Sequence, residues 1–121
     1  MKTILVVDDS ASVRQVAKLT LSRAGYGVIE AVDGRDALSK LAANRVNLII
    51  SDVNMPNMDG LSLARAVKSQ AAHKFMPIIM LTTESTTEKK TEGRDAGVRA
   101  WMVKPFEPQT MLDAVNKLVL P

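Results

Sequence analysis

Leu48-Ile49-Ile50-Ser51-Asp52, near the middle of a chain of 121 residues, decides the fold. Three large aliphatic side chains in succession leave no polar face for water. Such a run reads as a strand covered on both sides, the pattern of a parallel sheet. It ends abruptly on a hydroxyl and a carboxylate. Upstream, Asp33-Gly34 reads as a turn, and Ala37, Leu38, Leu41 and Ala42 recur at helical spacing. Downstream, residues 55–60 form a loop broken by Pro56 and Gly60. Leu61, Ala64 and Val67 then mark the inner stripe of another helix.

The same unit repeats outward in both directions. Ile4-Leu5-Val6-Val7 is a second fully apolar strand, followed by Val13, Val16, Ala17, Thr20 and Ala24 at helical spacing and a stop at Gly25. Residues 26–30 read as a short strand. Residues 77–81 are a fourth apolar strand, and 85–96 a polar helix closed by Gly97. Residues 99–103 supply a fifth strand. The last helix, 107–120, turns Met111, Leu112, Val115, Leu118 and Val119 inward. Five buried strands alternating with five helices specify an α/β fold with a doubly wound parallel sheet. Periodicity does not fix the order of the strands.

The length fits one domain, residues 1–121, able to bury a core without staples. With no cysteine, a disulfide framework and a thiolate metal site are both excluded. The first apolar run meets Asp8-Asp9 too soon to serve as an export signal. No stretch approaches the roughly 20 apolar residues of a membrane span. A cytoplasmic protein with no membrane insertion is therefore expected. The formal charge is +3, yet Lys and Arg are scattered and never run beyond Lys89-Lys90. With one Trp and one Tyr there is no aromatic-basic interleaving, so no nucleic-acid partner is expected.

In open α/β sheets ligands bind beyond the carboxyl ends of the strands, at a topological switch point. Asp8 and Asp9 follow the first strand, Asp52 ends the third, Thr82 follows the fourth, and Lys104-Pro105 follows the fifth. Taken singly, each has an ordinary role: Asp9 or Ser10 would cap a helix, and a strand-end Thr or Lys usually faces water. Together they place three carboxylates, a hydroxyl and an ammonium on one rim. Like charges about 4 Å apart repel by about 4 kcal/mol at an effective dielectric of about 20. Such a cluster calls for a cation, and an all-oxygen site suits Mg²⁺. Zinc has no ligand set here, since His73 stands alone in a polar linker before the fourth strand.

Asp8-Asp9, Asp52 after a buried strand, Met55-Pro56-x-x-Asp59-Gly60, Thr82 and Lys104-Pro105-Phe106 together resemble the CheY-like receiver domain of two-component response regulators, chemotaxis type, along the whole chain. The resemblance implies a flavodoxin-like sheet of order 2-1-3-4-5. It makes Asp52 the phosphoacceptor for a sensor histidine kinase. It implies Mg²⁺ held by Asp9, Asp52 and the backbone carbonyl of Asn54, with Asp8 acting through water. Thr82 and Lys104 would each hold a phosphoryl oxygen. Asn54 and Glu84 stand where receivers tune hydrolysis, and Thr83 adds bulk where many members carry Ala or Gly. Trp101 stands where the family places a switch aromatic, and Lys104-Pro105 resembles its cis peptide. The protein is then expected to be no enzyme beyond catalysing its own phosphorylation and dephosphorylation.

The resemblance also implies the partners: a CheA-like histidine kinase and a downstream protein, with a flagellar motor switch as the family's expectation. A monomer is expected. With no output domain in the sequence, signalling would run through a contact around Lys89, Lys90, Arg94, Arg99 and Trp101. The alternatives are a phosphorelay intermediate or a phosphate sink, and a Mg²⁺-dependent phosphatase of the haloacid dehalogenase class. The phosphatase class places its two acids two apart after the first strand, whereas Asp8 and Asp9 are adjacent. A flavin-mononucleotide module would need a Ser/Thr/Gly-rich phosphate loop where these acids stand.

Overall fold

The computed structural model describes the chain except for residues 84–86 and the side chains of residues 87–89. Five strands, β1 (Thr3–Val7), β2 (Gly27–Ala31), β3 (Leu48–Asp52), β4 (Ile78–Thr82) and β5 (Ala100–Val103), form one parallel sheet in the order β2-β1-β3-β4-β5. That is the order the resemblance implied. The helices are α1 (Ala11–Arg23), α2 (Gly34–Ala43), α3 (Gly60–Lys68), α4 (Thr87–Asp95) and α5 (Pro108–Leu118).

Crossovers between parallel strands are right-handed, so their direction along the sheet fixes the face each helix covers. The step from β1 to β2 runs one way, and every later step runs the other. Hence α1 lies on one face, joined by α5, over Ile4, Val6, Leu48, Ile50, Ile79 and Leu81. Helices α2 and α3 pack over the opposite face, against Leu5, Val7, Ile49, Ile78 and Met80. The reversal falls between β1 and β3, whose ends carry Asp8 and Asp52.

Several local readings shift. On α1 the buried residues are Ala17 and Leu21, with Val13 partly covered, while Val16 is half exposed and Ala24 is the C-cap. Val13, Ala17 and Leu21 form an i, i+4 row, and Val16 lies about a quarter turn off it. Ala42 likewise faces water. Asp33 caps α2, accepting a hydrogen bond from the Asp36 N–H, and Gly34 begins that helix where a free turn was expected. Strand β4 extends through Thr82. His73 ends a 3₁₀ turn, Ala71–His73, in what read as a linker.

Helix α3 begins against the end of β3. A Cβ on Gly60 would stand 2.2 Å from the Asp52 carbonyl oxygen, so only glycine fits this entry. The Gly60 N–H donates to the Val53 carbonyl, and the Asp59 carboxylate caps the helix by accepting from the Ser62 N–H at 2.7 Å. Asp59→Ala should cost about 1 kcal/mol of stability, the usual value for a lost cap. Urea unfolding measures it, and an unchanged midpoint would show that the exposed cap is replaced by water.

Candidate functional site

The carboxyl ends of β1, β3, β4 and β5 meet at the switch point. Asp8 follows β1, buried, with its N–H bound to the Ala31 carbonyl at 3.1 Å. Its Oδ1 accepts from the Ser10 N–H at 2.9 Å, and its carbonyl accepts from Arg14 at 2.6 Å. These bonds fix the backbone so that Asp9, next in line, points into water. Asp52 closes β3 and is buried. One carboxylate oxygen from each of Asp8, Asp9 and Asp52 lies within 4.8 Å of the others. The Lys104 ammonium crosses from the end of β5 to Asp8 Oδ2 at 2.8 Å and Asp52 Oδ2 at 3.3 Å. Thr82, fully buried, ends the strand between β3 and β5.

The charges leave a visible imbalance. Burial, and then the charge of Asp8, push the Asp52 carboxyl above its ordinary range, and Lys104 only partly opposes them. Burial alone would pull the Lys104 ammonium down. The close contact and charge of Asp8, with Asp52 beyond, outweigh it and hold the ammonium above its ordinary value. Asp8 Oδ2 is buried and is compensated by the Lys104 ammonium 2.8 Å away. Three carboxylates facing one such cation form an electron-rich, hard-oxygen donor set. That set fits Mg²⁺ and offers nothing to a soft metal.

The sequence pattern of the response regulator receiver domain matches residues 4–116. This chain belongs to the response regulator receiver family. Chemotaxis protein CheY1 of Helicobacter pylori is 46% identical over 115 residues, which cover 93% of each chain. Protein PilG of Pseudomonas aeruginosa is 37% identical over 113 residues, covering 93% of this chain and 84% of that protein. The structure of Vibrio cholerae chemotaxis protein CheY4 superposes with a TM-score of 0.94 at 50% identity, covering 98% of both chains.

Of the residues singled out for a receiver site, Asp8, Asp9, Asp52 and Lys104 are brought together directly. Asn54 is exposed in the loop between β3 and α3. Thr83 and Pro105 flank Lys104 in a groove also lined by Val13, Val16 and Phe106, so the bulk of Thr83 stands beside the approach to the site. The Lys104–Pro105 peptide is cis. Trp101 is half buried on the α3 side of the sheet. Glu84 lies outside the described residues, as do the side chain of Lys89 and any contact it makes.

Sequence reasoning overlooked the braces. Arg14 holds the Asp8 carbonyl and pairs with Glu30 at 3.2 Å. Asn57, at φ 68°, donates to Asp33 Oδ2 at 2.7 Å and ties the loop carrying Asn54 to the start of α2. Those bonds, first from the Asp36 N–H and then from Asn57, hold the Asp33 carboxyl below its ordinary value. Asn in that backbone region was the available signal, because few other side chains tolerate it. Among the described residues no helix is long and apolar enough to cross a membrane.

Proposed function

We propose that this receiver takes a phosphoryl group from a phosphohistidine of a sensor kinase onto Asp52 and thereby switches a protein-binding surface. The observation that carries the reading is Asp52 itself: a strand-end carboxylate, pressed by Asp8, with the Lys104 ammonium 3.3 Å away. An Asp52 oxygen attacks phosphorus, the phosphorus–nitrogen bond breaks, and its electron pair returns to the imidazole. Such transfer asks the protein mainly for positioning and charge neutralisation. Lys104 pairs with one phosphoryl oxygen, and the Thr82 hydroxyl donates to another. Asp9, Asp52 and the Asn54 carbonyl would hold Mg²⁺, with Asp8 acting through water. The ion supplies the positive charge that one lysine cannot provide. Asn54, Glu84 and Thr83 set access for the water that later hydrolyses the aspartyl phosphate.

The kinase is of the CheA type and the pathway one of chemotaxis or motility, a reading supported by relatives named as chemotaxis proteins. The receiver works in the cytoplasm as a monomer, with a flagellar motor switch as the expected target. Its output face is α4, β5 and α5, where exposed Lys90, Arg94 and Arg99 surround Trp101.

The switch runs through Thr82 and Trp101. Trp101 pairs with Met80 across the β4–β5 ladder, and Thr82 lies two residues beyond Met80 on the same face. Drawing the Thr82 hydroxyl toward a phosphoryl group changes the space beside the ring. Beryllofluoride with Mg²⁺, a mimic of the aspartyl phosphate, should therefore change Trp101 emission in the wild type. In Thr82→Ala the beryllofluoride should still bind while the emission change shrinks. An equal change in both proteins would show that Trp101 senses local charge alone.

A further inference from the structure

Gly93 sits inside α4, among Thr, Glu, Lys, Arg and Asp. Glycine is the poorest helix former after proline, and alanine the best, so this residue opposes the element that contains it. A residue that breaks a local rule inside a regular element invites a reason from elsewhere in the fold. The reason stands on the neighbouring strand. A Cβ added at Gly93 would lie 2.4 Å from Cζ2 of Trp101, 2.9 Å from Cε2 and 3.0 Å from Nε1. All three are atoms of the indole, so the ring is in direct contact with the helix backbone. Gly93 is itself buried beneath it. Any larger residue there would have to move the ring, since the backbone of an intact helix cannot yield without breaking its own ladder.

We infer that Gly93 is the seat of Trp101 on α4, and that this seat couples the ring to the helix. The inference rests on the receiver reading above and adds the residue through which the aromatic reaches the output face. A ring lying on a strand alone could turn without consequence for α4. A ring lodged against the helix backbone cannot: its position and the spacing between β5 and α4 are set together. The hollow formed by Lys90, Arg94, Gly97, Val98 and Arg99 has Trp101 as its aromatic wall, so its shape follows the ring. Gly93 is thus a positioning residue for the switch, remote from the phosphoacceptor chemistry.

Gly93→Ala tests this with two independent readouts. The added methyl should evict the indole. Resting Trp101 emission should then move to longer wavelength and acrylamide should quench it more strongly. Bound beryllofluoride, followed by its fluorine NMR signals, should persist while the beryllofluoride-dependent emission change is lost. Loss of bound beryllofluoride in the wild type as well would overturn the receiver reading and the coupling with it. A wild-type response that Gly93→Ala reproduces in full overturns the seat alone. The second readout needs no ligand and holds even where Gly93→Ala is poorly folded. In a Trp101→Ala background the seat is empty, so Gly93→Ala should raise the unfolding midpoint as a better helix former. In the wild-type background it should lower the midpoint or leave it unraised. Equal increments in the two backgrounds would mean that residues 93 and 101 do not interact, and the seat would have to be abandoned.

Discussion

Asp52→Asn should reduce phosphorylation to background and, without metal, raise the unfolding midpoint. The first effect follows from chemistry: a carboxamide offers no anionic oxygen to phosphorus, and Asp8 is turned toward Lys104 and the Ser10 N–H. Acid-labile, hydroxylamine-sensitive label from a small acyl phosphate or a phosphohistidine protein measures it. Full labelling at another residue would remove Asp52 from its role. The second effect follows from linkage. Burial and Asp8 raise the Asp52 carboxyl above its unfolded value near 3.8, so the folded state holds that proton more tightly. Stability therefore falls as pH rises from that value through the folded one, and the full penalty remains at neutral pH. Asparagine carries no such penalty, and Lys104 keeps Asp8 as its partner. The variant's advantage should be present at neutral pH and vanish in acid below the unfolded value. Magnesium should narrow it, because binding stabilises the wild type by RT ln(1 + [L]/Kd). A variant less stable than wild type at neutral pH would make Asp52 a structural partner of Lys104.

The residues that meet at this candidate site are largely legible in the sequence, for a physical reason. Strands buried on both faces write themselves as unbroken aliphatic runs, and their ends are where polarity returns. Asp8, Asp52 and Lys104 were visible because each interrupts such a run at its carboxyl end. Helix faces were less legible. The apolar residues of α1 allow two overlapping stripes: the set at helical spacing includes Val16, which is half exposed, and omits Leu21, which is buried. Strand order came from resemblance, since periodicity holds no trace of which strand neighbours which. The braces, Arg14 on Asp8 and Asn57 on Asp33, are contacts between elements distant in sequence, and one sequence records no pairing. Gly93 carries no signal in the sequence, because a glycine in a polar helix looks like a weak helix until the ring above it is seen.

Lys104→Met should destabilise the metal-free protein by about 2 kcal/mol at neutral pH. The substitution keeps an unbranched chain of similar length, so what it removes is chiefly the charge. Two carboxylates, Asp8 and Asp52, then face each other with no cation at 2.8 and 3.3 Å. Breaking a fully buried pair costs roughly 3–5 kcal/mol, and an exposed one about 0–1. Here the Asp8 side chain is 1% exposed and that of Lys104 17%, so water screens one partner and the value falls between these limits. The sign across pH follows from the same contacts. The folded-state value of Lys104 lies above its unfolded 10.5, so while its partner carboxylates are ionised its contribution is complete at neutral pH and, on the alkaline side, is lost as pH rises through the folded value. At neutral pH the methionine variant forfeits all of it. In acid the carboxylates are protonated, nothing remains to offset, and the two proteins should converge. Millimolar Mg²⁺ should restore part of the loss at neutral pH, because a cation on the same oxygens replaces the missing charge. Urea unfolding in chelator, in magnesium and in acid distinguishes these expectations. An unchanged midpoint in chelator at neutral pH would mean that the acidic cluster exerts no measurable repulsion, and the charge argument for a cation at this site would fail.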